Sequence, residues 1–413
     1  MPRGANGSRQ TGSGAVPAGA DAVVVGGGTI GGWGAYFLRR AGAGRVVLIE
    51  RDTLGCGASS RAAGMVRAQG GTPAAVRLGM WSRDFYLRQR AEIGVDSGFV
   101  TQGYFLPAFD EAEVERARAR LAMQQALGLE VHWLDPDDAD RRNPTMTRGT
   151  HLGGSFAPGD GFLDPPRNVA AYTVALARAG VEVHERVALT GVRLRAGRVI
   201  GVDTTNGPID TDSVVLTGGP GLADVAALAG VRVPTGGVRH QVAVTEPHPI
   251  FDSERFPMVF DVGHGLYWRP HEGGVLFGMS NPGEVPGVAR AIDWAYLERM
   301  RSRLEELVPA VRGLELRTVW AATIDYTPDH LPVIGPALGR DGPVAGITVA
   351  SAGGHGMMWG PAVSSAVADV ALTGTTDVVD ISELGLDRFD AEGRSRLDPD
   401  PLALPFPERT TAP

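Results

Sequence analysis

Glycines, one carboxylate and two arginines are the residues of this chain whose types and spacing point to chemistry. Gly26-Gly27-Gly28-Thr29-Ile30-Gly31 follows the apolar run Ala22 to Val25 and satisfies G-x-G-x-x-G at the end of a strand. In that spacing Gly26 permits a tight turn, Gly28 lets a pyrophosphate approach the backbone, and Gly31 lets the next helix lie close to the strand. The free N–H groups that open the helix, beginning at Thr29 and Ile30, would face the phosphates. Glu50 ends the next apolar run, and its carboxylate can accept hydrogen bonds from both ribose hydroxyls. It would repel a 2′-phosphate, so NADP is disfavoured while FAD and NAD remain. Beyond Arg51 and Asp52 the stretch LGCGASSRAAGMVRAQGG is rich in small residues and brings in Arg61 and Arg67.

Three elements must position these groups: a strand over Ala22 to Val25, a helix from about Ile30 to Ala41 and a strand over Arg45 to Ile49. Further strands are expected at Val181 to Val187, Val214 to Thr217, Gln241 to Thr245 and Gly274 to Gly278, with a helix over Ala291 to Leu307. Near the C-terminus, Ala345 to Ala350 reads as a buried strand. It turns through Gly353-Gly354-His355-Gly356 into a helix from about Pro361 to Leu372, whose N-terminus favours negative charge.

Composition sets the limits. The chain has 413 residues, 43% of them hydrophobic, and a formal net charge of −8. That is enough to bury the core of two domains, and it argues against nucleic acid or anionic lipid as a partner. Cys56 is the sole cysteine, so no internal disulfide can form. No Cys/His spacing suggests a metal, and the cysteine usage fits a reducing cytoplasm. No apolar run is long enough to span a membrane. Residues 1–20 read as a disordered leader and Asp398 to Pro413 as a Pro-rich tail with little to pack.

With the βαβ unit come Gly57-Ala58-Ser59-Ser60, Gly64-Met65-Val66-Arg67, Asp160 to Pro165, Val214 to Gly219, Arg239-His240-Gln241, Gly265 to Pro270 and Ser351 to Gly356. In that order, from about residue 21 to 375, the chain resembles the FAD-dependent amine oxidoreductases of the D-amino acid oxidase class, in particular the glycine oxidase, sarcosine oxidase and dimethylglycine dehydrogenase group. The resemblance implies an α/β plus α+β fold, with a Rossmann-type FAD-binding domain (21–95, 151–232 and 319–382) interleaved with an antiparallel-sheet substrate domain (96–150 and 233–318). Residues 383–413 would be a C-terminal extension. FAD contacts would then come from Gly26, Gly28, Thr29, Ile30, Gly31, Glu50 and Arg51. Ser59, Ser60, Arg61, Ala63, Gly64 and Met65 would follow, then Val187, Gly218 and Gly219. Gly353, Gly354, His355, Gly356, Met357 and Met358 would complete the set.

The same resemblance implies removal of a hydride equivalent from the carbon beside an amine nitrogen, then hydrolysis of the imine, with no dedicated base required. Its carboxylate-binding residues are partly replaced. Glycine oxidase has one Arg in the segment matching Trp320 to Asp325, where this chain has Ile324, and another matched by Met357; a sarcosine oxidase Lys is matched by Met358. Arg67 matches the sarcosine oxidase arginine that grips the carboxylate, and Tyr267 matches a glycine oxidase tyrosine that could reach the same group. Arg269 and His240 are read as structural. The oxygen-activating Lys of sarcosine oxidase corresponds to Leu276, which leaves oxygen and another acceptor both open. The flavin is expected to be non-covalent. The His that carries it in dimethylglycine dehydrogenase falls at Ser60-Arg61, and the sarcosine oxidase Cys falls at Ala322.

Apolar Ile324, Met357 and Met358, with Trp268 and Trp359 beside them, suggest a pocket for an apolar substituent. The reading is an amino acid oxidase acting on an N-substituted glycine to give glyoxylate and a free amine, as a step of biosynthesis. An N-demethylating dehydrogenase, a flavin-binding subunit of a larger complex and a nicotinamide-dependent dehydrogenase stay open.

Overall fold

The computed structural model describes residues 15–251, 256–340, 342–408 and 410. Among them the strands form sheets of nine, eight and three members. In the first, Ala22–Val25 lies between Val46–Glu50 and Val214–Leu216, parallel to both. Gly342–Ser351 continues beyond Val214–Leu216, and Glu182–Glu185 closes the side next to Val46–Glu50. These strands are apolar without alternation because both faces are covered. Ala22, Val24, Val46 and Leu48 pack on one side, and Val23, Val25, Val47 and Ile49 on the other.

Helices Thr29–Arg40, Pro165–Ala179 and Gly356–Thr373 contribute to the first of these cores. The last begins five residues before the expected start, and Pro361 lies inside it. Proline supplies no N–H to the Met357 carbonyl one turn back. The Tyr86 hydroxyl donates to that carbonyl instead, at 2.9 Å, so the helix continues through the proline. Trp294–Leu307 starts later than expected because the Asp293 carboxylate caps it, accepting from the Tyr296 N–H at 3.0 Å.

The second sheet runs in the order Leu316–Tyr326, Gly236–Thr245, Gly274–Met279, Leu266–His271, Met258–Asp261, Tyr104–Pro107, Gly154–Ala157 and His132–Leu134. Segments 154–157 and 319–326, placed by sequence with the nucleotide-binding part, hydrogen-bond in this sheet. Alternation along its strands sets what each face presents. Trp268, Phe277 and Val259 point toward helix Trp294–Leu307, whereas Tyr267, Leu276 and Phe260 point the other way.

Both ends of the chain correct the sequence expectation. Part of the expected leader, residues 1–14, lies outside the described residues. Its remainder is anchored: the Ala20 N–H donates to the Asp210 carbonyl, and the Asp210 N–H to the Ala18 carbonyl, each at 2.9 Å. The segment after Asp398 is packed, with Leu402 and Phe406 buried. Residues 401–407 are all apolar, and Ala403 is buried beside Leu402 where the Ala403 N–H closes a turn on the Asp400 carbonyl. The base of this segment is held by Arg388 and Asp329, a 2.7 Å ion pair whose side chains are both 0% exposed.

Candidate active site

A cavity with about 1750 Å³ of non-protein space opens between the C-terminal ends of the first sheet and the apolar face of the second. Its nucleotide end is built by glycines for two different reasons. Gly26 has φ +107°, and a Cβ on Gly31 would lie 1.8 Å from the Gly26 carbonyl oxygen, so both are required by the fold itself. A Cβ on Gly28 would meet only the Ser59 hydroxyl, at 3.1 Å, an oxygen that accepts from the Thr29 N–H at 2.9 Å. The missing side chain at Gly28 therefore widens the cavity and relieves only this one close contact in the protein.

Glu50 is already oriented, because one carboxylate oxygen accepts from the Gly27 N–H at 2.6 Å and the other from the Asp52 N–H at 2.9 Å. Both oxygens keep acceptor capacity for ribose hydroxyls. The first turns of helices Thr29–Arg40 and Gly356–Thr373 both meet the cavity, and neither carries an acidic residue. Two positive helix ends suit a pyrophosphate at one end and an anionic ring edge at the other. His355 Nε2 is buried and has no hydrogen-bond partner among the described residues, while Nδ1 is 3.1 Å from the Gly353 carbonyl. Burial, reinforced by Arg67, pushes His355 down to about 3, so the ring is neutral at neutral pH. A neutral ring with one unspent nitrogen fits a heterocyclic ligand at this wall.

Most of the residues predicted from sequence meet in this one cavity. Gly26, Gly28, Thr29, Ile30, Glu50, Arg51, Ser59 and Arg61 line it at one end. Ala63, Gly64, Met65, Gly218, Gly219 and Gly354 to Met358 continue the wall, and Arg67 and Tyr267 stand at the substrate side. Gly31, Ser60, Val187 and Gly353 do not line it. Gly31 lets helix Thr29–Arg40 pack against the Gly26 carbonyl, Gly353 shapes a turn at φ +57°, and the Val187 N–H supports the Glu50 carbonyl at 2.8 Å.

Several expectations change at the substrate end. Trp268 and Trp359 are buried in the cores and do not face the cavity: strand alternation turns Trp268 away, and Trp359 packs on the His355 ring at 4.4 Å. His240, read as structural, lines the cavity, with Nε2 2.6 Å from the Tyr267 hydroxyl and the two rings stacked. Burial lowers His240 to about 4 and raises the Tyr267 phenol, so both are neutral. Arg269 is structural, donating from Nε to the Ala63 carbonyl at 3.1 Å. Arg67 is almost wholly buried and gives one N–H each to the Gln69 and Leu402 carbonyls, which leaves three of its five donors.

Sequence reasoning missed Tyr104, Phe260, Leu404 and the Asp325–Ser351 pair on the cavity wall. The unbroken apolar run Pro401 to Pro407 was the signal for Leu404; nothing local marked the others. Burial raises the Asp325 carboxyl despite the 2.6 Å bond donated by Ser351.

Two results are expected here. Ala322 and Ser60 offer no side chain able to attach a flavin, so acid precipitation should leave yellow FAD in the supernatant; yellow retained in the pellet would contradict non-covalent binding. Replacing Glu50 with Gln should weaken FAD binding by roughly 1–3 kcal/mol, as charge-assisted hydrogen bonds become neutral ones. Fluorescence titration of the apoprotein measures it.

Among the described residues no helix is long and apolar enough to cross a membrane, and no cluster of three His, Cys, Asp or Glu side chains could hold a metal. A family profile, "DAO: FAD dependent oxidoreductase", matches residues 21–370. The chain is 28% identical over 385 residues to the 4-methylaminobutanoate oxidase (formaldehyde-forming) of Paenarthrobacter nicotinovorans, covering 91% of this chain and 46% of that protein. It thus spans about half of that relative's length. It is 29% identical to the glycine oxidase of Geobacillus kaustophilus, covering 85% of this chain and 92% of that one. The crystal structure of L-proline dehydrogenase from P. horikoshii superposes with TM-score 0.84 at 26% identity, over 92% of this chain and all of the other. With the βαβ cradle, the second helix end at the cavity and a match over residues 21–370, this chain belongs to the DAO family of FAD-dependent oxidoreductases.

Proposed function

We propose that the chain oxidises the C–N bond of an amino acid, best an N-substituted glycine with an apolar substituent, to an imine that water hydrolyses to glyoxylate and the free amine. The observation that carries this reading is one almost wholly buried cation, Arg67, that lines the cavity together with the apolar and aromatic Tyr104, Phe260, Tyr267, Ile324, Met357, Met358 and Leu404. Bound FAD supplies the acceptor for the two electrons.

The protein's own groups do the rest. Arg67 takes the carboxylate on its unspent donors. Tyr267 adds a hydrogen bond to the same carboxylate when neutral His240 carries its proton on Nε2 and donates it to the phenol oxygen. The apolar walls exclude water and disfavour a protonated amine, which keeps the nitrogen lone pair available. Each buried methylene of the substituent contributes about 0.8 kcal/mol to binding.

The formaldehyde-forming activity of the Paenarthrobacter relative favours a second reading, oxidation at an N-methyl carbon with release of formaldehyde. Steady-state kinetics on glycine, sarcosine and longer N-alkylglycines, with both aldehydes assayed, tests the two. kcat/KM rising with substituent length and glyoxylate as product support the first; formaldehyde from N-methyl substrates alone, or a preference for free glycine, contradicts it.

A further inference from the structure

The segment 398–408 meets the cavity at three points. The Leu402 carbonyl accepts from the Arg67 guanidinium, Leu404 lines the cavity itself, and Phe406 closes the wall behind His355. Phe406 stacks on Tyr326 at 5.2 Å, and its ring edge occupies the space that a Cβ on Gly354 would need, at 2.5 Å. None of this is loose packing. Asp400 is buried and accepts from the N–H groups of Gly71 at 3.1 Å and Leu402 at 2.8 Å, and its own N–H donates to the Asp329 carbonyl at 3.1 Å. Asp329 in turn holds Arg388 and the Ser395 hydroxyl. The segment is thus tied at its base to a buried ion pair and at Asp400 to the loop that follows Arg67.

We propose that this C-terminal segment is a specificity element of the substrate site. Leu404 is the wall that measures the apolar substituent, and the Leu402 carbonyl is the positioning group that aims Arg67 at the carboxylate. The inference rests on the substrate reading above and adds what sets the size limit. An Arg67 held by Gln69 and Leu402 on one side has its remaining donors directed away from those carbonyls. Leu404 follows two residues later and lines the same cavity that Arg67 lines. Cation and apolar wall are therefore joined by one short stretch of backbone, which begins in a turn closed by the Ala403 N–H on the Asp400 carbonyl.

The test uses the full-length FAD-loaded protein and reads binding rather than turnover. Carboxylates bearing S-alkyl groups in place of N-alkyl, from methyl to hexyl, have no oxidisable amine; their dissociation constants follow from perturbation of the flavin absorbance. Leu404→Trp should weaken the butyl and hexyl members at least tenfold relative to wild type while changing the methyl member less than threefold. Leu404→Ala should shift the optimum to a longer chain by at least one member. A chain ending at Asp400 should retain FAD and bind every member at least tenfold more weakly, because Arg67 loses one of its two anchors. If wild type discriminates among chain lengths and both Leu404 variants keep its ratios within twofold, the inference is overturned and the substrate reading stands. If wild type does not discriminate at all, both fall. Should the shortened chain fail to fold, the Leu404 pair still decides.

Discussion

Gly28→Val yields a folded protein that has lost its flavin. A Cβ at Gly28 meets only the Ser59 hydroxyl, at 3.1 Å, so the protein accommodates it, and the valine methyls project into the cavity at the start of helix Thr29–Arg40. That space is where the backbone must be approached within hydrogen-bonding distance by a pyrophosphate. Flavin content should fall below a tenth of wild type while the far-ultraviolet circular dichroism stays unchanged. Gly31 is the contrasting case, since a Cβ there would lie 1.8 Å from the Gly26 carbonyl and the strand–helix packing itself would give way. A Gly28→Val protein with stoichiometric FAD would refute the phosphate site.

Loss of Arg388 is the other large effect. Arg388→Ala leaves Asp329 as an uncompensated buried charge, and removing one partner of such a pair costs about 3–5 kcal/mol. Urea unfolding of the holoprotein would measure it, and a variant within 1 kcal/mol of wild type would contradict the role given to the pair. The pH dependence carries a second signature. Burial pushes the Asp329 carboxyl up, but Arg388, Ser395 and the Leu331 N–H outweigh it and hold it below the usual value. Its stabilisation is therefore complete above the unfolded value, near ~4, and fades as pH falls through the depressed native value. Without Arg388 burial dominates, the native carboxyl rises, and the deficit should shrink as the solution is acidified past ~4.

The nucleotide half was legible because its signals are local. A parallel strand buried on both faces reads as unbroken apolar residues, and the glycines recur at spacings fixed by one turn and one helix start. Glu50 could be placed because it ends the second strand. At the substrate end the deciding information is tertiary. Tyr267 and Trp268 are adjacent and both aromatic, and only the register against Gly278 and Phe277 decides which of them faces the cavity. The start of the last helix was misplaced because Pro361 reads as an N-terminal signal, and the hydroxyl that satisfies the Met357 carbonyl lies 271 positions away. The C-terminal segment was misread on composition: its prolines suggested a loose tail, whereas the apolar run they punctuate buries Leu402, Ala403 and Phe406. Arg67 was found by resemblance, yet its link to the Leu402 carbonyl, 335 positions distant, has no sequence signal at all.

On the proposal above, FAD and Arg67 together form a site for oxidising an N-substituted glycine. The deciding experiment is anaerobic titration of the purified protein with an N-alkylglycine, following the visible flavin band in wild type and in Arg67→Ala. The wild-type band should bleach, and half-maximal bleaching rate in Arg67→Ala should need at least a hundredfold higher concentration. A colourless protein, a yellow protein that no N-alkylglycine bleaches, or an Arg67→Ala titration that overlays wild type would contradict it.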